Sequence, residues 1–526
     1  MNTPLWITAT PPVPDGELHA GHLTGPYVAA DVLSRFLRAD GRTVLFTSGT
    51  ADHSTSVAER ALRTGRDAAQ VAEGFRESIT SDWLRAGVRF DRIVAPRARG
   101  GYDRWLRGLL ERLHGEGVLV PRTRRLPYCD GCERWLFGAR VRGGCPYCGA
   151  RSAGGACRAC ARPNDCGDLL APECGHCGAT ARIRRCRRLY LPLEPFREAL
   201  IDYWRASALP PRLTALCQLL ADEGLPDVAV AHPGDWGVTL DMEGFAEHRV
   251  DTCFESAAMH LYGYGYDRVP LPERTVHFCG FGHSFCHAVL LPAILITQGV
   301  KLPQEFFVNE TLRSGSDGGQ GRDWRDAWAL DLLTEYGSDT LRRHSLEARP
   351  TGPGAVFSRE RLEQTRGVLH GTWNGWLTGL FGRLTSRCGG IVPNVPPGGA
   401  GWDTQLRRLR HTCEELREAY TPEGFDPRRA VALLDEVVCS IADFGNLNAP
   451  RSESGEGGEE HLTALAAELG VCSALTAWAY PVMPEGAQRL AAVLGIEPGR
   501  PVTAEAIAVP APGTRVTPPS GPVFGF

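Results

Sequence analysis

Eight of the eighteen cysteines fall into four Cys-x-x-Cys pairs: Cys129/Cys132, Cys145/Cys148, Cys157/Cys160 and Cys174/Cys177. Two thiols separated by two residues can face one ion from a tight turn, and the glycines after Cys148 and Cys177 suit such a turn. Eight thiolates fill two tetrahedral zinc sites of four sulfurs each, with no open coordination position left for a substrate. Both ions would therefore be structural. A redox centre needs only one such pair, and clustered pairs in a long chain point to metal before disulfides. Upstream, His19-Ala20-Gly21-His22 follows a short apolar run and opens a helix. Histidines three apart at a helix N-terminus can meet phosphate oxygens, and the glycine between them lets a flat base approach the backbone. Such a pair is common on protein surfaces; its place after the first strand of a nucleotide-binding pattern singles it out.

The elements that must hold these groups follow from periodicity. Leu5–Thr10 reads as a buried strand, followed by a Pro-rich turn, a helix through Ala29, Val32 and Phe36, and a second strand at Thr43–Thr47. Strand, turn, helix, strand predicts a parallel sheet with crossover helices. The pattern breaks near Val118, where the cysteine-rich stretch begins. Strand signals resume at Asp227–Ala231 and Val276–Gly280. From about Ser358, stretches such as Arg359–Arg387, Asp403–Tyr420, Pro427–Asn448 and His461–Val482 have helical length and spacing, separated by the loops Gly389–Gly401 and Arg451–Glu460. Pro510–Phe526 reads as an extended tail packed on the body. The expected fold is α/β: a Rossmann-type parallel sheet with a zinc-knuckle insertion, followed by a C-terminal helical bundle. The expected divisions are 1–117 for the first half of the nucleotide-binding domain, 118–226 for the insertion, 227–357 for the second half with the catalytic loop, and 358–526 for the bundle and tail.

Composition bounds the function. With 43% hydrophobic and 22% charged residues, the chain is an ordinary globular one, neither disordered nor fibrous. A net charge of -4 predicts no general attraction to nucleic acid or anionic membranes. The longest apolar stretch, around Val289–Ile296, falls far short of the ~20 residues of a membrane helix. The first residues lack the regions of a signal peptide, so the expectation is a soluble, cytoplasmic protein without a membrane partner. Lys301 is the single lysine among 57 basic residues. Any mechanism that needs a lysine has one candidate.

Several segments in order resemble the class I aminoacyl-tRNA synthetases, specifically the methionyl type. Pro12–His22 is similar to the family's first signature, and the four cysteine pairs to its two-knuckle zinc insert, where inner pairs share one zinc and outer pairs the other. Asp227–Val230 with Asp235–Val238 resembles the segment re-entering the sheet, Leu332–Arg342 the stretch after the catalytic loop, and the C-terminal helices with Pro522-Val523-Phe524 the anticodon-binding bundle. The resemblance implies that ATP, with Mg2+, activates an amino acid or related carboxylate as an adenylate, and that the acyl group then passes to an acceptor. It implies that His19 and His22 contact the phosphates, that Gly21, Gly280 and Gly282 lie in the nucleotide site, and that Pro11, Val13, Asp52, Cys253 and His287 line the amino-acid pocket.

The chain departs from the family at specific positions. The second signature, Lys-Met-Ser-Lys-Ser, should fall at Gly318–Arg322, where no lysine stands; Arg322 is the expected stand-in, with Arg313 and Arg325 as alternatives. Arginine is a planar fork and not a compact ammonium, so the exchange is not conservative. The ammonium-binding aspartate aligns with Ala51, beside Asp52. Val13 stands for a Tyr, Cys253 for a Trp, and Gly280-Phe281-Gly282 for the ribose-binding Gly-Lys-Asp. His287 matches the family's pocket histidine. The anticodon readers align with His370 and Asn374, and Arg451 follows Ala449-Pro450 where a Trp is expected; Trp373 or Trp376 could replace it as a stacking platform. These exchanges argue against methionine as substrate and against selective tRNA recognition. The expected function is a diverged ligase of specialised metabolism that acylates a non-tRNA acceptor, with a biosynthetic partner protein possible. The alternatives are a working methionine-tRNA ligase and a non-catalytic binding protein that keeps the fold.

Overall fold

The computed structural model describes residues 4–525 apart from 99, 266–268, 271, 273, 301–303, 315–326 and 450–457. The strand Leu5–Ala9 is buried at all five positions, as a strand covered on both faces by helices must be. It sits at the centre of a five-stranded sheet in the order Gln304–Asn309, Thr275–Gly280, Leu5–Ala9, Val44–Gly49, Arg92–Val94, parallel throughout. The chain builds outward on one side, then returns to build the other. The order therefore reverses between Leu5–Ala9 and Thr275–Gly280, and a doubly wound sheet opens its ligand crevice at the carboxyl ends of those two strands.

Helix Val28–Ala39 crosses from the first strand to the second and buries Val28, Ala29, Val32, Leu33 and Phe36 against the sheet, one apolar stripe at helical spacing. Helix Ala329–Glu347, broken at Gly337 (φ 75°), carries Arg342, which is fully buried. Its guanidinium pairs with Asp31 at 2.7 Å and donates to the Val482, Pro481 and Ala86 carbonyls at 2.8, 2.9 and 3.1 Å. One side chain thus joins the first crossover helix to the C-terminal helices. Those helices run Arg359–Val368, continuing through Leu369–Trp373 into Asn374–Cys388, then Trp402–Tyr420, Pro427–Leu447, Gly458–Trp478 and Pro484–Leu494. Their apolar faces share one core with the sheet. The tail packs as expected, with Val523 and Phe524 buried.

The insertion between the sheet halves is antiparallel. Val120–Cys129 pairs with Arg182–Pro192, and shorter strands carry the cysteines around a small separate core. One expectation is corrected here. Asp227–Ala229 does not re-enter the parallel sheet; it pairs antiparallel with Arg182–Pro192, Val228 opposite Leu191. Its three residues are only half buried, whereas a central parallel strand is buried on both faces. The chain rejoins the parallel sheet at Thr275. Among the described residues no helix is long and apolar enough to cross a membrane.

Candidate active site

The eight paired cysteines form two clusters, Cys129, Cys132, Cys174 and Cys177 from the outer pairs and Cys145, Cys148, Cys157 and Cys160 from the inner ones. Within each, all four sulfurs lie within 4.8 Å of one another, with closest cross-pair separations of 3.6, 3.9, 3.8 and 3.7 Å. A tetrahedral zinc with bonds of about 2.3 Å requires sulfurs about 3.8 Å apart, so the donor sets fit the ion. They are far too long for disulfides, which measure about 2.05 Å. The residue after each second cysteine adopts left-handed backbone: Glu133, Gly149, Ala161 and Gly178, at φ 50°, 70°, 57° and 73°. Four turns of one geometry explain why two of these positions are glycine.

At the crevice lies a cavity of about 800 Å³. Thr10 and Pro11 line it from the end of the first strand, Gly282 and His283 from the end of the Thr275–Gly280 strand, and Cys253 and Ser256 from helix Thr252–Tyr264. The insertion closes the opposite wall through Ala153–Ala156 and Arg158. Of the expected pocket residues, Pro11, Val13, Cys253 and His287 line this cavity. Asp52 does not. Its carboxylate is buried, 3.2 Å from Arg76, and accepts from the Arg97 backbone N–H at 3.3 Å, while neighbouring Ala51 faces the cavity. The expected role of Asp52 against the substrate is corrected accordingly: an arginine holds it.

Behind the cavity-lining His287 lies a cluster of buried histidines. His287 pairs through Nε2 with Thr10 Oγ1 at 2.9 Å and through Nδ1 with His277 Nδ1 at 3.1 Å, and His260 pairs with Thr8 Oγ1 at 2.6 Å. Burial drives the pKa of His260 down to about 4 and those of His277 and His287 well below the usual range. All three are neutral hydrogen-bonding groups at physiological pH.

His19 and His22 stand at the rim, their rings 3.9 Å apart, and do not line the cavity itself. His19 caps the helix: the Gly21 N–H donates to His19 Nδ1 at 3.1 Å, and the His19 N–H donates to His22 Nδ1 at 3.2 Å. A neutral imidazole that accepts at Nδ1 carries its proton on Nε2. The backbone thereby presets each ring as an Nε2–H donor, the form a phosphate oxygen needs. Burial, aided by the charges of Arg158 and His283, lowers His22 to about 4 and keeps it neutral. Ala20 donates to the Ala327 carbonyl at 2.9 Å, and His19 bridges Trp328. The chain leaving the signature-like loop therefore ends against the histidine motif. The expected stand-in Arg322, with Arg325, lies outside the described residues. Gly280 faces Asn309 and His283 and is not part of the cavity wall.

Among the wall residues that carried no sequence signal are Arg158, His283 and Ser256. Arg158 sits inside a cysteine knuckle, where only the sulfurs attract notice, and the other two depend on how a turn and a helix present them.

The family model for class I tRNA synthetases of the methionyl type, "tRNA synthetases class I (M)", matches residues 5–250, from the first strand through both cysteine clusters. The methionine–tRNA ligase of Dehalococcoides mccartyi is 27% identical over 556 residues, covering 100% of this chain and 97% of the relative. That of Pyrococcus furiosus is 26% identical, covering 93% and 71%. Mycobacterium tuberculosis methionyl-tRNA synthetase bound by methionyl-adenylate superposes with a TM-score of 0.80 at 20% identity, covering 99% of this chain and all of that one. In fold and in sequence the chain resembles the class I aminoacyl-tRNA synthetases. Within that class the chain is methionyl-tRNA-synthetase-like, a ligase homologue along its whole length.

Proposed function

We propose that the protein is an ATP-dependent ligase that activates a small polar carboxylate as its adenylate and passes the acyl group to an acceptor other than tRNA. The observation that carries this reading is the cavity wall. Val13 and Cys253 occupy the positions where the family sets rings over methionine, and Ser256, Thr10 and His287 surround them with hydrogen-bonding groups. A pocket that lacks those two rings grips a thioether less firmly. With Asp52 held by Arg76, the family's anchor for an α-ammonium has no counterpart at Ala51. In the reaction, a carboxylate oxygen bonds to the α-phosphorus of ATP as the bond to the bridging oxygen breaks, and pyrophosphate leaves with the electron pair. His19 and His22, preset as Nε2–H donors, would bind the phosphate oxygens, Mg2+ would accompany the nucleotide, and Gly21 and Gly282 would border the nucleoside. Arg322 remains the proposed cation of the signature-like loop. Two zinc ions would hold the insertion, and the domain limits at 117, 226 and 357 remain our proposed divisions.

The bundle supports an acceptor other than tRNA. Asn374 is spent on the tail: Nδ2 donates to the Phe524 and Leu369 carbonyls at 2.8 and 2.9 Å, and Oδ1 accepts from the Val523 and Phe524 N–H groups at 2.9 and 3.0 Å. His370 Nε2 pairs with the Gly525 carbonyl at 3.3 Å. Trp373 and Trp376 are buried, their indoles donating to Asp435 and Glu468, and offer no stacking platform. The full-length likeness to methionine–tRNA ligases favours a second reading, methionine charging of tRNA. ATP–pyrophosphate exchange across a panel of amino and hydroxy acids decides between them. Exchange with a small polar acid and not with methionine supports the first reading; robust methionine-dependent exchange together with tRNA acylation sinks it.

A further inference from the structure

Arg158 lies between the inner-cluster ligands Cys157 and Cys160, yet it lines the substrate cavity. Three anchors hold its knuckle there. Arg212 stacks on Phe281, 3.7 Å from the ring centroid, and donates to the Ala159 carbonyl at 2.9 Å. Ala161 is fully buried in the core beneath the crevice. Arg162 lies 3.7 Å from the Tyr147 ring centroid and pairs with Glu223. The knuckle also meets the end of the fourth parallel strand directly. A Cβ at position 282 would lie 3.0 Å from Arg158 Cα and 3.1 Å from its carbonyl oxygen, so a side chain there would press the knuckle back by a few tenths of an ångström.

The charge of Arg158 is felt on three sides of the same corner. After burial, it is the largest influence holding His283 down, to about 4, and it acts likewise on His22. It also opposes the burial that raises the Asp15 carboxyl on the adjoining wall. The two histidines are neutral, and the arginine charge that acts on both of them is that of Arg158 in the knuckle.

We propose that Arg158, with His283 and His22, forms a polyphosphate-binding subsite, and that the inner cysteine cluster serves to present this arginine to the nucleotide's phosphates. The assignment rests on the ligase reading for its place in catalysis: the guanidinium would offset the charge that accumulates on pyrophosphate as it leaves. A fork with several N–H donors suits phosphate oxygens, and here it needs no lysine. Arg158 becomes a catalytic residue supplied by the insertion.

The test is titration calorimetry of the full-length, zinc-loaded chain with inorganic pyrophosphate, on the wild type and on Arg158→Gln and Arg158→Lys. Loss of a charge-assisted contact is expected to weaken binding about 10- to 100-fold in Arg158→Gln, with partial retention in Arg158→Lys. Zinc content and melting temperature should match the wild type in both. In pyrophosphate exchange, Arg158→Gln should lower kcat more than it raises the KM for the carboxylate substrate. Wild-type pyrophosphate affinity in Arg158→Gln overturns the proposal, as does loss of zinc from that variant or a wild type that binds no pyrophosphate. Arg158-dependent binding in a protein that activates no carboxylate would uphold the subsite and overturn the ligase reading instead.

Discussion

Asp52 Oδ2 lies 3.2 Å from Arg76 Nη1, in a buried pair that holds the carboxylate out of the cavity its neighbour Ala51 lines. One residue along the chain separates a substrate-facing position from a structural one. Asp52→Asn should therefore cost about 1–2 kcal/mol of stability, because it leaves the mostly buried Arg76 with only the exposed Glu73, 3.7 Å away, as a counter-charge, and should leave the substrate KM unchanged. Ala51→Asp should act on recognition, lowering the KM for α-amino acids relative to the matching hydroxy acids. Urea unfolding and exchange kinetics on the two variants check this; a KM effect confined to Asp52→Asn would contradict it.

The two cysteine clusters share no ligand. Purified protein should carry about two zinc ions, and Cys145→Ser and Cys129→Ser should each lose about one, from different clusters. Because the metal's binding energy is local folding energy, proteolysis should open the insertion of either variant before the parallel sheet. Metal analysis that finds no zinc in an intact fold would remove the claim.

Five buried histidines have pKa values depressed by burial: His260 and His344 to about 4, His277 and His287 further down, and His248 in the same direction. In the unfolded chain each binds a proton below the ordinary 6.5; in the fold it does not until a lower pH, about 4 for His260 and His344. Through these rings the unfolded state holds more protons across that window, so their contribution to stability falls as pH drops from about 6.5 toward 4, opposed in part by Asp339 and Asp82, which burial raises to about 7 and about 6. Urea midpoints at pH 7, 6 and 5 should decline with a slope of more than one proton. His260→Asn, which keeps a partner for Thr8, should reduce that slope by about one proton. An unchanged slope in His260→Asn would show that this ring titrates normally.

Asn374 makes four hydrogen bonds, three of them to Val523 and Phe524. Asn374→Ala leaves buried backbone groups without partners and should cost about 2–3 kcal/mol. It should also free the tail to protease. If this asparagine reads a nucleotide instead, the variant would lose discrimination between a methionine anticodon and a mutated one. The expectation is no discrimination in the wild type and no change in the variant, which filter binding with both RNAs measures directly.

What the sequence by itself determined was whatever depends on near neighbours. Four Cys-x-x-Cys turns, the strand-turn-helix around His19 and His22, and the length and stripe of helices such as Val28–Ala39 are fixed by residues a few positions apart, so their spacing declares them. The resemblance of ordered motifs added the division of the cysteines into inner and outer sets, which the sulfur positions match. Tertiary structure decided the rest, because the deciding contacts are remote in the chain. Asp52, in the turn after strand Val44–Gly49, reaches Arg76 on helix Ala68–Arg85. Asp227–Ala229 joins the insertion because Arg182–Pro192 offers it an open edge, whereas the parallel sheet fills that place with Thr275–Gly280. Arg158 reaches the cavity wall against Gly282, more than a hundred residues later, whose lack of a side chain lets the knuckle pack close. A local pattern cannot encode such a meeting; it arises when separately specified pieces pack and one leaves room for the other.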